Sequence, residues 1–183
     1  MKARSFSHVG ITVSDFNRAV RFYWDVFGCP LVGVADTPPE RVRSFFGVDA
    51  GQIGGGEGPR CKIGWIRVPG GATLEIFAFD PRQPPIPIPW NRVGLTHISF
   101  NVRNTRKWYD YLLSKGVECT SQPERSPRGH TFFFAKDADG NAIELIDLGR
   151  MYHVLKWLGP LGGFLFRRGM YRQYYEAPAT TPR

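Results

Sequence analysis

FSHVGITVSDFNRAVRFYWDVFG, residues 6–28, and LTHISFNVRNTRKWYDYLLSKG, residues 95–116, open in the same way. Each sets a histidine, His8 or His97, in a short run where polar and apolar residues alternate, and each run leads into a helix-periodic stretch closed by glycine. In the first run His8, Gly10 and Thr12 alternate with Val9, Ile11 and Val13; in the second His97, Ser99 and Asn101 alternate with Ile98, Phe100 and Val102. A period of two sends successive side chains to opposite faces of a strand. Each strand therefore has an apolar face for a helix to cover and a polar face bearing the histidine.

The repetition continues downstream. ATLEIF, residues 72–77, and NAIELI, residues 141–146, are strand-like, and each carries one central glutamate, Glu75 or Glu144. The histidines lie 89 residues apart and the glutamates 69, so the first unit is about 20 residues longer. The surplus falls in DTPPERVRSFFGVDAGQIGGGEGPR, residues 36–60, with a short helix expected after Pro38 and Pro39 and a glycine-rich loop behind it. A repeat of this kind is read as duplication before any other fold.

Each unit reads β-α-β-β-β. The first helix is expected from Phe16, Ala19, Val20, Tyr23, Val26 and Phe27, with Ser14 or Asp15 as cap and Gly28 as stop. The second carries Trp108, Tyr111 and Leu112, entered through Asn104 and Thr105 and stopped by Gly116. Residues 61–68, 73–79, 130–135 and 142–148 read as strands, with hairpin turns at 69–71 and 137–141. The proline-rich PRQPPIPIPW, residues 81–90, reads as a stiff linker. The expected organisation is α+β: a first βαβββ module over 1–80, a linker over 81–92, a second module over 93–148 and a C-terminal tail over 149–183.

At 183 residues the chain can bury a real core, and no run of about 18 apolar residues exists to span a membrane. No secretory signal is read in MKARSFSHVG. Cys29, Cys61 and Cys119 are odd in number and widely spaced, which suggests reduced thiols and a cytoplasmic location. The net charge of +8 is uneven, with +5 in residues 149–183 and +3 in all the rest. The basic pI belongs to an appendage.

A lone histidine in a strand is more often structural than a ligand. An ionised glutamate flanked by apolar residues is rarer, because a buried carboxylate needs a positive partner. Arg67, on the preceding strand, is the expected ordinary partner for Glu75, and Glu144 has no equally obvious one. Repetition in register favours a joint reading: His8, Glu75, His97 and Glu144 as ligands of one divalent ion. Two imidazoles and two carboxylates suit a first-row metal such as Ni, Co, Zn, Mn or Fe, and leave octahedral positions open to substrate oxygens.

These motifs, SHVGITVSD with FYWDVFG, ATLEIFAF, GLTHISFNV and KDADGNAIELID, resemble the vicinal oxygen chelate superfamily over residues 5–148. The resemblance implies paired βαβββ modules forming a cupped, incomplete barrel around a metal. Members include glyoxalase I, methylmalonyl-CoA epimerase, extradiol dioxygenases, fosfomycin-resistance proteins and metal-free drug-binding proteins such as bleomycin resistance protein. By resemblance, His8, His97 and Glu144 suffice for a dioxygenase-type site, whereas the fourth position, Glu75, matches bacterial glyoxalase I. The implied chemistry is an isomerase or lyase reaction in which Glu144, as principal base, and Glu75 move protons beside a chelated carbonyl. The alternatives are an extradiol-type Fe(II) dioxygenase and a metal-free protein that sequesters an apolar ligand. A small-molecule substrate and a homodimer are expected. No glutathione-binding set maps onto the chain, and GGGEGP lacks the lysine-serine ending of a phosphate loop.

His130 is read as a solvated strand end with a second role as acid or base as the minor alternative. Only one of Lys62 and Arg67 can face the cup, and Phe77, Phe79, Phe100, Phe132 and Phe134 divide between pocket wall and core. The tail is expected to form one or two short helices broken at Gly159–Pro160 and Gly162–Gly163. Its aromatic and basic residues are expected to pack on the protein or on a second subunit, with an acidic membrane surface second and nucleic acid a distant third.

Overall fold

The structure, a computed structural model, describes residues 3–47, 59–86, 89–170 and 172–176. Its elements run β1 (His8–Thr12), α1 (Phe16–Phe27), β2 (Leu31–Thr37), α2 (Pro39–Phe46), β3 (Arg60–Arg67), β4 (Thr73–Asp80), β5 (Ile98–Asn101), α3 (Thr105–Ser114), β6 (Glu124–Arg125), β7 (Thr131–Lys136), β8 (Ala142–Asp147), α4 (Arg150–Arg168) and α5 (Gln173–Glu176). They form two four-stranded sheets of the same topology, β1-β4-β3-β2 and β5-β8-β7-β6, and neither closes into a barrel. In each, the histidine strand pairs in parallel with the glutamate strand, β1 with β4 and β5 with β8.

The helix ends follow local chemistry. Asp15 accepts a hydrogen bond from the Arg18 amide, which also holds its carboxyl below the usual range, and Gly28 closes α1 at φ 65°. Asn104 caps α3 from the left-handed region by accepting from the Lys107 amide, and its own amide donates to Asp147. The helix expected after the proline pair is α2, while the glycine-rich loop behind it falls outside the described residues.

Sheet register divides the residues cleanly. Val13, Leu74 and Ile76 of one sheet and Val102, Phe133, Ile143 and Leu145 of the other join Tyr23, Val26 and Leu112 in a single core. The helix-covered faces of both sheets thus meet around α1 and α3. Phe27 stacks on Phe100 at 4.7 Å and lies 5.9 Å from Trp108, so Phe100 is a core residue and not a pocket wall.

The modules are also joined by polar contacts. The fully buried Tyr23 donates from its hydroxyl to Asp137 (3.1 Å), which also accepts from the amides of Asp139 and Asn141 and from the Asn141 side chain. Asp139 in turn receives Arg18 (2.6 Å) and the Ser14 hydroxyl. Burial, and after it the negative charge of Asp137, pushes the Tyr23 phenol well above its ordinary range. Tyr23→Phe removes a charged-acceptor hydrogen bond while Asp137 keeps its other donors. A loss of about 1.5–2 kcal/mol is expected, seen as a fall of roughly 3–8 °C in Tm by thermal unfolding.

The tail departs from expectation. α4 runs without a break through Gly159, Pro160, Gly162 and Gly163, followed by the short α5, and its apolar side chains remain exposed instead of packing on the body.

Candidate metal centre

The faces turned away from the common core carry the four candidate ligands. On the first sheet, pairing puts Thr73, Glu75, Phe77 and Phe79 of β4 on the same face as Arg67, Trp65, Ile63 and Cys61 of β3. The neighbouring β1 contributes His8, Gly10 and Thr12. Gly10 is required there, because a Cβ would lie 2.7 Å from the Phe77 ring. Helix α2 covers the far end of this face, where Val42 and Phe46 pack over Cys61, Ile63, Phe77 and Phe79. Burial, then the charge of Glu75, pushes the Cys61 thiol up to about 12, so it is inert at neutral pH.

At the open end His8 Nε2 lies 3.2 Å from Glu75 Oε2. Glu75 is buried, and its partner is this imidazole, not Arg67 as the sequence suggested. Arg67 does face the cup, but from an exposed position, whereas Lys62 lies over Phe16 on the helix side.

The second sheet repeats the arrangement with differences. His97 Nε2 lies 3.6 Å from Glu144 Oε2, and the same oxygen accepts from Ser99 Oγ at 2.7 Å. Ser99 stands where the first module has Gly10, so only Glu144 has a hydroxyl donor. Trp90, from the linker, sits 5.4 Å from the His97 ring and 4.9 Å from Phe134, roofing this pair with aromatic surface. His130 is placed in the β6–β7 hairpin, where its backbone bonds Ser126, and it belongs to neither pair.

The residue before each histidine is a hydroxyl amino acid on its Nδ1: Ser7 Oγ at 3.2 Å from His8 and Thr96 Oγ1 at 2.9 Å from His97. Fixing Nδ1 leaves Nε2 to face the carboxylate, the outer support that oriented imidazole ligands use. The signal was in the sequence as Ser-His and Thr-His at matched positions.

The donors fit a divalent first-row ion. Two ligands about 2.1 Å from a shared ion and roughly 90–109° apart are separated by about 3.0–3.4 Å, close to both observed N···O distances of 3.2 and 3.6 Å. The same spacing supports a direct His–Glu hydrogen bond without metal. The pairs are nevertheless not brought together: among the described residues, no three His, Cys, Asp or Glu side chains group closely enough to hold an ion. The pairs belong to separate sheets, and what the sheets share is a core of helix-side residues, not their histidine faces. Two surface clefts, one under the start of α4 at Arg103, Asp147 and His153 and one at Asp25, Lys115 and Lys136, lie away from both pairs.

Two tandem βαβββ units with matched His–Glu pairs define the class of fold. The sequence profile of the Glyoxalase/Bleomycin resistance protein/Dioxygenase superfamily matches residues 5–145, and the chain belongs to that superfamily. Lactoylglutathione lyase GLX1 of Arabidopsis thaliana is 26% identical over 147 residues, covering 80% of this chain and 45% of that protein. The lactoylglutathione lyase of Schizosaccharomyces pombe is 28% identical over 151 residues, covering 80% and 48%. The chain spans about half the length of the curated relatives it matches. A glyoxalase family protein from Bacillus cereus superposes with a TM-score of 0.66 at 19% identity, over 80% of this chain and 95% of that one. Leishmania major glyoxalase I gives 0.58 at 17% identity, over 88% and 99%. At these identities the structures speak to the fold alone.

Proposed function

We propose that the protein is a metal-dependent lyase or isomerase of the glyoxalase type, moving a proton on carbon beside a carbonyl of a small oxygenated or thioester substrate. The observation carrying this reading is the presence of two His–Glu pairs of matched geometry, where a two-histidine, one-carboxylate iron site would need no Glu75. The lactoylglutathione lyases among the relatives lend it support at the level of reaction class.

A bound divalent ion would polarise the substrate carbonyl as a Lewis acid. His8, Glu75, His97 and Glu144 would hold it, with the two imidazoles fixed from behind by Ser7 and Thr96. The carboxylates do the proton work. Glu144, kept in one orientation by the Ser99 hydroxyl on Oε2, is the principal base, with Oε1 left to accept the carbon-bound proton. Glu75 lacks such a donor and is suited to returning a proton or serving the other face. Trp90 and Phe134 cover part of the His97 side with aromatic surface.

Because the two pairs are not brought together in one chain, a complete four-ligand centre would take a second copy, whose second module meets the first module of its partner. A homodimer is therefore part of the proposal. The matched region covers less than half of the plant and yeast relatives, leaving room in each for a second such unit.

Metal analysis of the purified protein, with turnover assayed on adducts of 2-oxoaldehydes with glutathione and other thiols, tests the reading. One ion per centre and a marked loss of turnover in Glu75→Gln are expected. Iron accompanied by oxygen uptake on a catechol, insensitive to Glu75→Gln, would move the assignment to a dioxygenase. Absence of metal, with apolar ligand binding unchanged in Glu75→Ala, would make it a sequestering protein.

A further inference from the structure

The longest helix, α4, has no part in either half-site and does not bury its own apolar residues. Over Arg150–Arg168 most of the apolar side chains fall on one side. At 3.6 residues per turn, Val154, Leu155, Trp157, Leu158, Leu161 and Leu165 lie within an arc of about 160°, and Phe164 extends it at the edge beside Trp157. All are exposed, Trp157 at 71%. The opposite arc carries Tyr152, His153, Lys156, Gly159, Gly163 and Arg167, with Phe166 at its edge, while Arg150 and Arg168, the first and last residues of the helix, lie on the apolar side. A helix that packs on a protein core needs a stripe of about 100°, and a two-helix seam needs a narrower one. This apolar face is wider than either use requires.

Charge narrows the choice of occupant. The helix holds Arg150, Lys156, Arg167 and Arg168 and no carboxylate, so α4 laid against a second α4 would set cations against cations. The rest of the chain is itself net positive, at +3 for residues 1–148. Two of the cations lie against aromatic rings of the apolar side. Lys156 Nζ lies 5.2 Å from the Trp157 ring centroid, and the Arg168 guanidinium lies 4.5 Å from that of Phe164. Long cationic side chains that run along aromatic rings keep their charge at the water boundary while their stems stay in contact with apolar surface. No helix of the described residues is long and apolar enough to cross a membrane.

We propose that α4 is an interfacial anchor. It lies in the plane of an anionic lipid surface, with the leucine-tryptophan arc among the acyl chains and Lys156, Arg167 and Arg168 at the acidic headgroups. A wide apolar face with tryptophan and phenylalanine, opposite a basic polar face, is the pattern of helices that bind in this way. The anchor would place the half-sites near a lipid surface, independently of whether the His–Glu pairs bind metal.

The test is flotation of the full-length protein with vesicles of phosphatidylcholine alone and of phosphatidylcholine with phosphatidylserine. Partitioning at least about tenfold stronger onto the anionic vesicles is expected, given roughly fivefold per basic residue near the surface, and it should weaken in high salt. Lys156→Glu combined with Arg167→Glu should abolish the preference, and Leu158→Asp combined with Leu161→Asp should abolish binding to both. These residues are exposed, so the thermal unfolding of both variants should match the parent. Brominated acyl chains should quench the part of the fluorescence that Trp157→Phe removes. Equal partitioning onto neutral and anionic vesicles, or none onto either, overturns the proposal. So does a parent dimer that the two aspartates convert to monomer, which would assign the face to a second copy.

Discussion

Glu144→Gln lowers kcat about 10³-fold with little change in KM, as expected for loss of a positioned general base. The amide keeps the volume of the carboxylate and an oxygen for the Ser99 hydroxyl, so the β5–β8 pairing around it should persist. Ser99→Ala gives a smaller, diagnostic loss of about 5–30-fold in kcat, because one charge-assisted hydrogen bond of about 1–2 kcal/mol no longer fixes the carboxylate. Ser99→Thr keeps the hydroxyl and should restore most of that loss, which a role in packing alone would not produce. Glu75→Gln, with no such donor at Gly10, should weaken metal retention more than it slows the proton step. The measurement is steady-state turnover of a 2-oxoaldehyde–thiol adduct together with metal content for each variant. A Glu144→Gln enzyme within tenfold of the parent, beside a Glu75→Gln enzyme that is inactive, would exchange the roles of the two carboxylates.

The difference between these carboxylates shows what the sequence could and could not convey. The repeat was legible because strand and helix periods leave marks in the residues themselves: alternation through His8 and His97, and the apolar spacing of α1. The caps and stops were legible for the same reason, since Asp15, Gly28 and Asn104 act on neighbouring backbone. What escaped depends on residues distant in sequence. Arg67 is nearer to Glu75 along the chain than His8 is, yet parallel pairing of β1 with β4 brings His8 to the carboxylate. Trp90 read as part of a linker, and only the fold lays it beside His97. The glycines and proline of the tail argued locally for breaks, and α4 runs through them. Above all, four ligands in matched positions suggested one centre, while the two pairs lie on separate sheets and do not group.

That separation yields the largest and most specific expected effect. Glu75→Ala and Glu144→Ala should each leave the protein without its full metal complement and without activity, and mixing the two should restore both. If a centre joins the first module of one chain to the second module of its partner, a mixed dimer contains one centre lacking both glutamates and one that is intact. Equal co-expression makes about half the dimers mixed, so about a quarter of the parental centres return, in a twofold assembly where each subunit lends half of each site. Metal stoichiometry and turnover should recover to the same fraction, because the intact centre has all four parental ligands. The two readouts also guard against a trivial result, since added stability without repair would raise neither. Failure to recover, with mixed dimers demonstrated by differently tagged chains, would mean that each centre is assembled within one chain. The sheets would then have to reorient so that the His8–Glu75 and His97–Glu144 faces meet. Such a rearrangement would have to open the core that Phe27, Phe100 and Trp108 close, and break the contacts of Tyr23 with Asp137 and of Arg18 with Asp139. Those contacts are buried or charge-assisted, and each favours the arrangement in which the two pairs stay apart within one chain.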